Sequence, residues 1–199
     1  KKSLLTAEEN SLVKNIIITA PFEDHLHFKT LNEFPDADIW CSSQVKSILE
    51  KKNSKNKINN FSSNSHSIGN LKVSAYPAGF PYNTTAYCLV ISNAEGFTVF
   101  HEGHVVNKRV IQNNKIKADV AILTAEEVKF FGLLTLSMNL KNTIAACNLL
   151  SANTLFITGS NPLKNTGFVN HFLKLNKLDN DFRDDKIEIF YEAGSTFTS

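Results

Sequence analysis

The chain has 199 residues, 42% of them apolar and 20% charged, with a formal net charge of +2 at pH 7. That length and balance suit one sizeable core and exclude a disordered, collagen-like or disulfide-stapled chain. So small a charge, with Arg109 and Arg183 the only arginines, argues against a nucleic-acid partner, because arginine supplies the fork that phosphate and guanine contacts use.

No apolar run approaches the roughly 18 residues of a membrane span, and Lys1–Leu5 is too short an apolar stretch for a secretory signal. Cys41, Cys88 and Cys147 are odd in number, far apart and set among apolar neighbours. They read as buried free thiols in a reducing compartment, and no CxxC supports a zinc ribbon. The expectation is a soluble intracellular protein, not a secreted one.

Thr6-Ala7-Glu8-Glu9 has the form of a helix start. Asn15–Thr19 is a continuous β-branched run, as in a strand buried on both faces. A short helix is expected near His25–Phe34, a strand over Ala37–Cys41, and a helix capped by Ser42 or Ser43 running to Glu50. Residues 51–67 are rich in Asn, Ser and Lys and predict a solvated surface loop, with His66 on the surface.

Strands are expected at Leu71–Tyr76, Ala86–Ser92, Phe97–Phe100 and Ala118–Leu123, with a turn at Asn93–Gly96. A helix over Asn139–Leu150 is followed by a strand at Thr154–Thr158, a helix near Phe168–Leu175 and a strand near Ile187–Tyr191. This β-α rhythm points to a single layered α/β domain over residues 1–199. A Gly-x-Ser-x-Gly elbow, a P-loop and a dinucleotide-binding glycine pattern are all missing.

One segment stands out chemically, Ile18-Thr19-Ala20-Pro21-Phe22-Glu23-Asp24-His25-Leu26-His27, a buried strand that ends in Thr and opens onto Asp-His. It resembles the start of the metal site of metallo-β-lactamase-fold hydrolases, whose pattern is Thr-His-x-His-x-Asp-His. Ala20 and Phe22 stand where the first two histidines would be, while Asp24 and His25 match the remaining positions; His27 lies two residues beyond. Lys72–Phe80 resembles the element that delivers a third histidine, with Gly79 or Phe80 in its place. Phe97–His104 resembles the strand ending in Gly-Asp, with His104 in place of the Asp. Leu155–Ser160 resembles the strand that ends in a last histidine, with Thr158 and Gly159 there.

The resemblance implies an α/β fold, an αββα sandwich. The family usually places two or more strands before the first metal motif, whereas residues 1–15 read as containing a helix. The first sheet is then expected to lack its first N-terminal strands, and an exposed sheet edge is normally covered.

Three functional readings follow. The first, favoured by four lost ligand positions, is a catalytically inactive protein, a structural or interaction subunit with a protein partner or a second copy of itself and no cofactor. The alternative is a metal-dependent hydrolase with one residual metal, such as a single zinc, held by Asp24, His25 and His104, with His101 as an outside candidate. The bland account of those residues is that Asp24 caps a helix and the histidines are hydrogen-bonded remnants. A third option is a small-molecule site walled by Phe22 and Phe80.

Overall fold

A computed structural model describes residues 6–61, 65–158, 171–176, 178, 181–192 and 194–197. Helix α1 (Ala7–Leu12) starts with a capping box. Thr6 Oγ1 accepts from the Glu9 amide and the Glu9 carboxylate accepts from the Thr6 amide, so two otherwise unpaired donors are satisfied.

Strands β1 (Asn15–Ile18), β2 (Asp38–Cys41) and β3 (Ile58–Asn60) form an all-parallel sheet in that order. They alternate in the chain with α2 (Phe28–Leu31) and α3 (Ser43–Lys51), the latter capped by Ser42. Period-two alternation divides the strand residues. Ile18, Ile39 and Cys41 pack on Leu31, Val45 and Leu49 of the helices, while Ile17 and Trp40 turn to the opposite face. Strands covered on both faces need apolar residues on both, which is why 16–18 reads as an unbroken isoleucine run.

The second sheet contains β4 (His66–Ile68), β5 (Leu71–Pro77), β6 (Tyr87–Ser92), β7 (Thr98–His101), β8 (Val120–Thr124), β11 (Thr154–Thr158) and β13 (Glu188–Phe190). Its order is β13-β11-β8-β7-β6-β5-β4, antiparallel from β4 to β7 and parallel from β7 to β13. One face meets the first sheet through Phe61, Ile68, Val73 and Leu89. The other packs Cys88, Phe100, Ala121 and Leu155 against Ile111 of α4 (Lys108–Asn113) and Ala146, Cys147 and Leu150 of α5 (Leu140–Leu150). Helix, sheet, sheet, helix is the expected αββα order, and all three cysteines lie buried and free within it.

Some elements differ from the sequence expectation. Helical structure within His25–Phe34 is confined to α2, and His27 rather than Asp24 caps it, its Nδ1 accepting from the Thr30 amide at 3.3 Å. Within 51–67, read as a surface loop, the chain forms β3 and enters β4, and Phe61 is buried. Pairing with β2 and β5 overrides a composition that favours solvent. His66 is half-buried against Trp40 and Phe61 rather than on the surface. Of the helix expected near Phe168–Leu175, His171 and Phe172 form a short 3-10 turn and the remainder is strand β12 (Leu173–Asn176), antiparallel to β9 (Glu127–Phe130), which also pairs with β10 (Leu134–Ser137). A short apolar run fits either period, and the backbone partners offered by β9 decide it; residues 168–170 lie outside the described ones. Among the described residues β1 is an edge of the first sheet, and no helix is long and apolar enough to cross a membrane.

Candidate metal centre

Two loops build the site, one after β1 and one after β7. Past β1, Thr19 and Ala20 are buried, and Pro21 lacks the N–H that would extend the ladder. A single tight turn follows, with the His25 and Leu26 amides both donating to the Phe22 carbonyl at 2.9 and 2.7 Å. The turn leaves the Asp24 side chain 62% exposed and directs His25 inward, 17% exposed. Past β7, the Glu102 amide still donates to Ile122 at 3.1 Å. Its buried carboxylate accepts from the Thr124 amide at 2.9 Å and the Thr124 hydroxyl at 2.5 Å. The Thr143 hydroxyl of α5 in turn donates to the Thr124 carbonyl at 2.6 Å, so the helical layer braces this loop.

Gly103 then passes so close to Tyr87 that an added Cβ would come within 2.5 Å of the Tyr87 carbonyl oxygen. His104 follows at φ +83, a left-handed conformation that costs a side-chain-bearing residue strain. The same Tyr87 gives its amide to the Thr19 carbonyl at 2.9 Å. One residue of β6 therefore gauges both loops.

Asp24, His25 and His104 meet at this point. Asp24 Oδ2 stands 3.6 Å from His25 Nε2 and 3.6 Å from His104 Nε2, and the three ligand atoms lie within 4.8 Å of one another. These separations are too long for hydrogen bonds. They are close to the spacing of ligand atoms around a tetrahedral ion, which at bond lengths of 2.0–2.1 Å is roughly 3.3 Å. His104 Nε2 is buried without a hydrogen-bond partner. His25 Nδ1 lies 2.7 Å from Thr19 Oγ1, which leaves its Nε2 for the shared corner.

The electrostatics favour neutral imidazoles, the form that binds metal. Burial lowers the pKa of His25, His104 lowers it further, and Asp24 partly offsets both. Burial also lowers His104 against the opposing pull of Asp24. The Asp–His contacts, at 3.6 Å and with both imidazoles lowered, are therefore not strong ion pairs at neutral pH.

Tyr82 stacks on the His104 ring at 4.6 Å and 24°, and Phe22 closes the other approach with its centroid 5.6 Å away. Burial, then the Asp24 charge, pushes the Tyr82 phenol up to about 12. On the Asp24–His25 side a cavity of about 290 Å³ has apolar walls from Ile16, Ile18, Leu26, Leu31 and Phe34.

The chain matches no protein-family model and no curated protein. Its fold, however, is found in solved structures. The metallo-β-lactamase fold protein YhfI from Bacillus subtilis superposes with a TM-score of 0.60 at 15% identity, over 78% of this chain and 66% of YhfI. An isothiocyanate hydrolase from Delia radicum gut bacteria gives 0.61 at 16%, over 77% and 65%. The metallo hydrolase Igni18 from Ignicoccus hospitalis gives 0.58 at 16%, over 80% and 70%. The chain has the metallo-β-lactamase fold. It spans just under two thirds of the length of the first two of these proteins.

On this fold the expected ligand positions have separate fates. Ala20 is fully buried in the core beneath the sheet, and Phe22 packs on that core beside His104. Gly79 is buried, and a side chain there would meet Val105 Cγ1 at 2.8 Å and the Val106 carbonyl oxygen at 2.9 Å. Phe80 is 73% exposed and is not among the residues lining the cavity beside Asp24 and His25. Thr158 ends β11 at the surface, and Gly159 lies outside the described residues. His27 is occupied with Thr30. His101 shares its strand face with its ladder partner Leu89, in the layer between the sheets. Burial, then the charge of His25, drives it down to about 4, and its Nδ1 has no partner. Sequence reasoning missed Tyr82 and the Glu102–Thr124 brace. Tyr82 comes from the loop before β6 with no motif around it, and Thr124 from the next parallel strand.

Proposed function

We propose that the chain is a metal-dependent hydrolase of the metallo-β-lactamase fold with one metal centre, formed by Asp24, His25 and His104. The motif taken alone favours an inactive protein; the geometry supports the one-metal alternative. The observation that carries it is the convergence of three ligand atoms at coordination spacing, one of them the buried and otherwise unpartnered His104 Nε2. Asp24, released from helix capping by His27, is free to serve it.

Two imidazoles and a carboxylate suit zinc, iron or manganese, and three protein ligands leave a position open for chemistry. A divalent ion supplies Lewis acidity and brings water toward ionisation at neutral pH, the chemistry of acyl or phosphoryl hydrolysis. The residues do the rest. Asp24 contributes the negative charge on the exposed side, His25 and His104 are held neutral, and Tyr82 and Phe22 exclude water from the His104 side. A substrate would approach between the loop after Thr19 and the loop after Gly103.

The second reading is an inactive subunit that works through a partner or a second copy. Phe22 and Ala20 favour it, because neither can bind a second ion. Elemental analysis and cobalt(II) titration of the purified protein separate the two. One equivalent of metal, lost in Asp24→Ala and His104→Ala, with cleavage of p-nitrophenyl esters or bis(p-nitrophenyl) phosphate by the loaded protein, supports the hydrolase. A protein that arrives metal-free and takes up no cobalt leaves the inactive subunit standing, and light scattering then tests for self-association.

A further inference from the structure

We propose that Thr19 is a positioning residue for this centre: its hydroxyl holds His25 as the Nδ1–H tautomer, with the Nε2 lone pair aimed at the corner shared with Asp24 and His104. The inference rests on the metal-centre reading and concerns a residue outside the ligand set. A neutral imidazole carries one N–H, and whichever nitrogen donates leaves the other as the lone pair. Nε2 has its nearest carboxylate oxygen 3.6 Å away, too far to receive a proton-mediated bond, whereas Nδ1 has Thr19 Oγ1 at 2.7 Å. For the Nε2 lone pair to face the shared corner the proton must sit on Nδ1, and Thr19 Oγ1 is placed to accept it.

The oxygen is not free to drift. Thr19 is 5% exposed, and its carbonyl is tied to the Tyr87 amide across the gap between the sheets at 2.9 Å. His27, in the same loop, provides the opposite case. Its Nδ1 accepts from the Thr30 amide, a group that can only donate, so its proton sits on Nε2. On the proposed assignment two histidines two positions apart carry opposite tautomers, each beside a threonine: Thr19 at His25, and Thr30, through its amide and its hydroxyl at 2.8 Å, at His27. Outer partners of this kind orient a ligand and raise its basicity, and losing one typically costs 10–100-fold in metal affinity.

The test compares wild type with Thr19→Val, which removes the hydroxyl at nearly equal volume, and Thr19→Ser, which keeps it. Nitrogen-15 NMR of the metal-free proteins at neutral pH reads the tautomer, with the His25 and His27 signals assigned by their loss in His25→Gln and His27→Gln. Cobalt(II) titration of the same proteins reads affinity. The expected result is Nδ1–H at His25 and Nε2–H at His27 in wild type. Thr19→Val should turn His25 toward Nε2–H and weaken cobalt binding by about 10–100-fold, while Thr19→Ser stays near wild type on both readouts. An Nε2–H proton at His25 in wild type, or an unmoved tautomer in Thr19→Val, overturns the inference. If wild type binds no cobalt, the metal-centre reading falls by itself, and the tautomer arm still decides the role of Thr19.

Discussion

Alanine at position 103 would place its Cβ 2.5 Å from the Tyr87 carbonyl oxygen, 3.1 Å from the carbonyl carbon and 3.2 Å from the amide nitrogen. Ordinary contact begins near 3.4 Å, so the two backbones must part by about 0.9 Å (3.4 − 2.5). Neither side yields easily. The Tyr87 amide is held by Thr19 at 2.9 Å and the Glu102 amide by Ile122 at 3.1 Å, and β6 and β7 are already paired from Leu89 to His101. Overpacking of this kind costs roughly 2–3 kcal/mol, the upper part of the usual range, which for a domain of this size lowers Tm by about 4–12 °C. The displacement falls on the residue before His104 and moves its Nε2 by a sizeable part of the 3.6 Å that separates it from Asp24. Cobalt(II) affinity should drop by on the order of tenfold or more. Urea unfolding followed by the single tryptophan, Trp40, which packs between the sheets, and a cobalt titration measure both effects. Stability within about 0.5 kcal/mol of the parent, together with unchanged cobalt affinity, would refute the idea that the Gly103–Tyr87 approach positions His104.

Acid should destabilise the protein through His101. Its folded pKa of about 4 lies below the ordinary 6.5, so the folded state binds fewer protons, and stability complete above pH 6.5 is lost as pH falls toward 4, by up to about 3 kcal/mol. His101→Gln should flatten that slope in urea melts run from pH 7 to pH 4.5, and an unchanged slope would count against the assignment. Burial raises the thiols of Cys41, Cys88 and Cys147 to about 11, 12 and 12. A disulfide reagent at neutral pH should therefore label them only slowly in the native state and fully in urea; rapid labelling of a native thiol would show that its cover opens readily.

How much was legible along the chain depends on how local each interaction is. The capping box at Thr6, the Ser42 cap and the strand at Asn15–Ile18 arise from neighbours in sequence, and each was readable. The C-terminal part of the helix expected near Phe168–Leu175 is instead strand because Leu173–Asn176 takes its conformation from β9, a partner remote in sequence. β3 and β4 were hidden for the same reason, inside a stretch whose composition favours solvent. At the site, Asp24 and His25 were visible as a partial match to the family motif after a buried strand, and His104 through the resemblance of Phe97–His104 to the family's strand ending in Gly-Asp. Thr19 was part of the quoted motif, but its role was not legible, since that depends on a 2.7 Å contact.

The sequence by itself determined a layered α/β domain, because alternating and continuous apolar runs dictate which faces must be buried whatever their neighbours are, and the αββα order was what its resemblance to the metallo-β-lactamase motif implied. It also determined which side chains could serve as ligands. Only the tertiary structure decided that three of them converge. Asp24 and His25 reach the corner from the loop after β1, and His104 reaches it from the loop after β7 in a left-handed conformation. Both loops are held against the backbone of Tyr87 in β6. A coordination site is a matter of ångströms between groups far apart in the chain, and that spacing is set by the packing of the two sheets.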